Sequence, residues 1–149
     1  MKFLLSLKKV GCSLQSPFLL FIRLYWGYQF ALAGYGKFLH LDTVTAFFAS
    51  IGIPFPYINA ICASSVELIC GSLLFIGLFS RLISIPLLFV MCIAYLITEQ
   101  PALQALFTSF DPDPFFHAAP FLFLYASSLI FCFGPGKISC DYLIQKEMP

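Results

Sequence analysis

The chain is poor in charge. Only 10% of its 149 residues are Asp, Glu, Lys or Arg and the formal net charge is +1, so it has no basic footprint broad enough for nucleic acid. It has no C-x-x-C pair either. Cys12, Cys62, Cys70, Cys92, Cys132 and Cys140 stand apart, several inside apolar runs, and read as small buried hydrophobes rather than as a redox or metal framework. A phosphate-cradling glycine loop, a dinucleotide fingerprint, a nucleophile elbow and a paired-histidine zinc motif are all missing. Self-contained catalysis by a familiar route is therefore not expected. The two histidines, His40 and His117, lie too far apart in sequence to suggest a metal pair.

What is abundant is apolar surface. The composition is 60% hydrophobic with 19 Phe, more than a water-soluble fold of this length could bury. Lipid is the expected solvent, and the length allows one domain over residues 1–149. The N-terminus imitates a secretory signal, with Lys2, Lys8 and Lys9 before an apolar run and Ala31-Leu32-Ala33 resembling a cleavage site. Arg23 interrupts that run and the apolar stretch continues to Gly36, which reads as a retained first helix.

A membrane helix needs about 20 largely apolar residues. Four segments qualify: Pro17 to Gly36, Ile58 to Phe79, Leu82 to Thr98 and Pro114 to Phe133. The fold class expected is all-α, a polytopic membrane four-helix bundle. Lys2, Lys8, Lys9, Arg81, Lys137 and Lys146 fall on one side against Lys37 on the other, which by the positive-inside rule puts both termini in the cytoplasm. The two outer connections each read as holding a short interfacial helix. Asp42 or Thr43 caps one that runs through Phe47 and Phe48 and stops at Gly52. Pro101 to Phe110 forms the other, with Asp113-Pro114 as N-cap and first-position proline of the fourth helix. These pieces are open to two readings, lids on the outer leaflet or loops packed on the bundle.

The polar residues inside this frame are the candidate site. Arg23, Gly27, Phe30, Gly34 and Lys37 make one stripe down the first helix, with glycines that admit a close neighbour. Glu67 lies near the middle of the second helix. With the two helices antiparallel, Arg23 lies about 8 Å of helix rise to the cytoplasmic side of Glu67, so an Arg23 to Glu67 ion pair is the preferred arrangement. Such a pair either orients helices only or leaves Glu67 to titrate or bind a polar ligand group. Lys37 snorkels to the interface or pairs with Glu99 or Asp42. His117, about one turn inside the outer boundary, reads as hydrogen-bonded structure before ligand or proton carrier. Asp111-Pro112-Asp113-Pro114 could hold a divalent cation weakly, but capping explains it better.

In sequence order these residues resemble the DoxX family. An Arg, a Gly four residues on and a later Gly before Lys and a hydrophobe match Arg23, Gly27, Gly34, Lys37 and Phe38. Phe48 with Gly52-Ile53-Pro54, then Glu67, Gly71, Leu74, Gly77, Leu78 and Arg81, then Met91 and Ala94, and finally Gly134-Pro135-Gly136, Ser139 and Asp141 continue the pattern. Cys70 and Cys140 depart from it without disturbing its polar positions. The resemblance implies a four-helix inner-membrane protein with an accessory role in membrane redox chemistry, since relatives include the DoxD subunit of thiosulfate:quinone oxidoreductase. On that reading Arg23, Lys37, Glu67, Glu99 and His117 line or border a polar site that a quinone fits, and electrons come from a partner subunit. The alternatives are a small-solute or lipid-handling protein, which with so few helices calls for a homo-oligomer, and a structural assembly factor.

Overall fold

The computed structural model describes residues 2–136 and 138–147, with side chains described from residue 14 onward except at 145 and 147. Among these the chain is all-helical. It runs through α1 (Lys2–Leu39), α2 (Leu41–Ser50), α3 (Pro56–Ile76), α4 (Ser80–Thr98), α5 (Gln100–Gln104), a π-helical turn (Ala105–Ser109), α6 (Asp113–His117), α7 (Ala119–Phe133) and α8 (Cys140–Glu147). Both α3, with 21 residues, and α4, with 19, are long and apolar enough to cross a bilayer. Lys137 and the side chains of Lys2, Lys8 and Lys9, on which the expected orientation rests, lie outside the described residues.

Helix α1 begins well before the expected Pro17 and continues through it. A proline there removes one backbone bond to the preceding turn, and helix-forming residues on either side carry the helix past it. The fourth expected helix is broken in two. Ala118 is extended, at φ −63° and ψ 138°, between α6 and α7, because Pro120 cannot donate to the turn before it and its ring clashes there. The cap differs as well: Asp113 is the first helical residue of α6 and Asp111 Oδ1 accepts from its N–H at 3.1 Å. The outer pieces form close to where expected. Helix α2 ends in bonds from Ile51, Gly52 and Ile53 back to the carbonyls of Phe47, Ala49 and Phe48, with Gly52 at φ +76°, a conformation that costs glycine little.

Packing follows from the stripes. Helix α1 lies along α3, α3 against α4, α4 against α7 and α7 against α1, while α2 covers part of α3. The shared core contains Ile22, Phe30, Leu74, Ile83, Leu87, Met91, Ala126 and Ile130. Ser64, Ser84 and Ser127 are also buried, and each donates its hydroxyl to the carbonyl four residues earlier, so none is left unpaired. The opposite stripes are apolar and exposed: Phe18, Phe21, Tyr25, Tyr28, Leu32 and Tyr35 on α1, and Leu82, Ile85, Phe89, Ile93 and Leu96 on α4. Water-soluble monomers do not present continuous apolar faces of that extent. Cys62, Cys92 and Cys132 are exposed rather than in the core, which corrects the expectation of burial: their helical positions fall on the outward faces.

Candidate functional site

The contact between α1 and α3 sets the geometry. Gly27 lies against Gly71 and Phe75, Gly34 against Ser64 and Leu68, and Gly77 against Arg23. The helices are thus antiparallel, with the residue numbers at touching positions adding to about 100. Only glycine permits this approach. A Cβ on Gly27 would stand 2.7 Å from the Phe75 nitrogen, and one on Gly71 2.6 Å from the Ala31 nitrogen, distances at which backbone must move.

That register decides which cation meets Glu67. Glu67 is level with residue 33 of α1, so Lys37 is one turn away, about 6 Å of rise, and Arg23 ten residues away, about 15 Å. Lys37 Nζ bonds Glu67 Oε1 at 2.5 Å. The Arg23 to Glu67 pair expected from sequence does not form, because its assumed register brought Arg23 too close by about half the true separation. Arg23 instead packs on Gly77 and donates from a terminal guanidinium nitrogen to the Pro135 carbonyl at 3.3 Å. It is 3% exposed.

The remaining candidates are not part of this cluster. Glu99 caps the C-terminus of α4 with its backbone, and among the described residues it forms no ion pair with Lys37. Asp42 forms none either. His117 is exposed and its Nδ1 lies 2.8 Å from the Asp113 carbonyl within its own helix, in keeping with a structural hydrogen bond.

Lys37 and Glu67 stand in the wall of a cavity of about 910 Å³. Its lining comes from α1 (Phe30, Ala33), α2 (Val44, Phe47, Phe48), α3 (Ala63, Val66), α4 (Phe89, Met91, Ala94) and α7 (Phe123), with further apolar residues between them. Two polar neighbours, Asn59 and Thr98, donate to backbone carbonyls at Pro54 and Ala94. Sequence reasoning did not assign α2 to this wall; the signal available was Val44, Phe47 and Phe48 on one side of a short helix. It also missed the work of Asp141, which accepts from the Phe79 N–H at 2.5 Å and the Ser80 N–H at 2.8 Å and so caps α4 from the far end of the chain.

Comparison with known proteins agrees with the residue pattern. The family model for DoxX matches residues 18–100, which hold Arg23, Lys37, Glu67 and Glu99. The chain belongs to the DoxX family. It is 33% identical over 143 residues to the uncharacterized membrane protein Rv3486 of Mycobacterium tuberculosis, covering 88% of this chain and 83% of that one. No solved structure matches it. As a DoxX protein the chain is a membrane protein, and its lipid-facing stripes and two bilayer-length helices accord with that assignment. Within the DoxX match the Gly27, Gly34 and Gly71 contacts and the Lys37 to Glu67 pair form one unit, since the glycines set the depth at which the pair meets.

Proposed function

We propose that this DoxX protein is an accessory, quinone-facing subunit of a membrane redox system, built as a single domain whose α1, α3, α4 and α6–α7 cross the inner membrane as a four-helix bundle. Both termini are then cytoplasmic, as the placement of Arg81 and Lys146 favours. The observation that carries the reading is the cavity: about 910 Å³, apolar and rich in phenylalanine, with one half-buried ion pair in its wall. Ligand sites of this kind combine apolar walls with a few placed polar groups.

The residues fit a quinone. Phe47, Phe48 and Phe123 would flank the ring, Lys37 would donate to a carbonyl and Glu67 would hold the ammonium in place. When bound, a quinone supplies a two-electron acceptor; this chain supplies binding, orientation and exclusion of water. The donor of the electrons is assigned to a partner subunit.

Gentle detergent extraction of the tagged protein from its own membrane, followed by mass spectrometry of the retained proteins and quinones, tests the proposal. A stoichiometric redox subunit or a retained quinone is the expected result. A homo-oligomer carrying phospholipid alone would transfer the cavity to lipid handling, a reading that its apolar walls also favour over transport of a small polar solute.

A further inference from the structure

The ion pair in the cavity wall is asymmetric. Glu67 is 1% exposed, and while Oε1 accepts from Lys37, Oε2 has no partner among the described residues. Lys37 is 35% exposed along its side chain, and its ammonium has N–H groups beyond the one given to Glu67. Both residues line the cavity. This part of the wall therefore holds an accessible donor beside an enclosed acceptor, and a buried carboxylate oxygen left unpaired is costly.

From this pair we infer that the cavity selects a lipophilic ring compound bearing a hydroxyl, the phenol or hydroquinone class, over the corresponding carbonyl or ether. A hydroxyl accepts from Lys37 and, once a turn of the enclosed Glu67 carboxylate brings Oε2 to the cavity, donates to that oxygen as well. A carbonyl or ether accepts from Lys37 and leaves Oε2 as it was. The aromatic walls supplied by Phe30, Phe47, Phe48 and Phe123 favour a flat ring over a flexible chain. The inference rests on the reading of the cavity as a ligand site, and it narrows the quinone proposal to preference for the reduced, hydroxyl-bearing form.

The test uses two redox-inert probes, 6-bromo-2-naphthol and 6-bromo-2-methoxynaphthalene, which differ by one methyl on oxygen. The chain has a single tryptophan, Trp26, whose ring lies 5.0 Å from that of Phe123 in the cavity wall, so its fluorescence reports occupancy. The full-length protein in lipid nanodiscs is titrated with each probe, and affinity is expressed per mole fraction of probe in lipid so that partitioning cancels. Saturable quenching displaced by unbrominated 2-naphthol is expected, with the naphthol bound about tenfold or more tighter than its ether. In Glu67→Gln the amide can keep its oxygen on Lys37 and turn an N–H to the ligand, and the preference for the naphthol should vanish or reverse.

Equal saturable affinities for the two probes in the wild-type protein would overturn the donor selection while leaving a ligand cavity. Retention of the full preference in Glu67→Gln would remove Glu67 as its cause. Quenching by neither probe would bring down the cavity reading itself. Because the wild-type comparison alone decides the first point, a Glu67→Gln protein that failed to fold would not rescue the inference.

Discussion

Lys37 and Glu67 differ in what each leaves behind when the other is removed. Glu67 is enclosed and Lys37 reaches a partly open space, so the two single substitutions should not cost the same. Lys37→Met strands a carboxylate 1% exposed and is expected to lower stability in detergent by about 3 kcal/mol or more. Glu67→Gln keeps an amide oxygen for the Lys37 ammonium, which is already partly open, at a cost of about 1 kcal/mol. The double variant should recover most of the Lys37→Met loss. Thermal unfolding of the three proteins checks this, and equal losses in the two single variants would mean that burial of Glu67 is not what makes the pair matter. The pair was half legible in the sequence. A carboxylate in the middle of an apolar helix needs a cation, and both candidates stood on the stripe of α1 that holds Gly27 and Gly34. Which of them reaches Glu67 depends on register to within a turn or two, and the loop that fixes it, residues 40–55, carries no marker of its own depth.

At the scale of helices, the close approach of α1 and α3 makes a contrast between neighbouring glycines. Gly71→Ala would drive a Cβ to 2.6 Å from the Ala31 nitrogen and 2.7 Å from Phe30 Cβ, separating the helices at a cost of about 2 kcal/mol. Gly36, in α1, would have nothing among the described residues within 4 Å of an added Cβ, and Gly36→Ala should gain about 0.5–1 kcal/mol from helix propensity. Opposite signs in unfolding experiments are expected, and a stable Gly71→Ala protein would refute the packing described. Asp141→Ala should cost about 1–2 kcal/mol by uncapping α4 and should free α8 to local proteolysis. If α8 stayed as protected as in the wild type, the Asp141 bonds would not be what docks it. The helices themselves were readable because apolar length and the Arg23, Gly27, Phe30, Gly34, Lys37 spacing are local properties. The break at Ala118 was missed because Pro120 sits inside a long apolar run that otherwise reads as continuous. The cap at Asp141 was missed because its partners, Phe79 and Ser80, are 62 and 61 residues away.

On the scale of the whole molecule, apolar faces on α1 and α4 look outward while, among the described side chains, Arg23 and Glu67 turn inward and the other charges lie near helix ends or in turns. This inversion of the soluble pattern is what the composition alone already required. The proposed four crossings return both termini to one side, so reporter fusions at residues 1 and 149 should both be active in the cytoplasm, and a reporter inserted near Asp111 should be active outside. The opposite behaviour of either terminus would remove one crossing and with it the proposed bundle. On the proposed function, the cavity whose wall holds Lys37 and Glu67 takes up a lipophilic ligand. Mass spectrometry of small molecules retained by the purified wild-type protein and by an Ala63→Phe variant, whose new ring fills the cavity, tests it most directly. A ring-bearing lipophile near one per chain in the wild type and lost in the variant is the expected result; identical retention in both, or phospholipid alone in both, would contradict it.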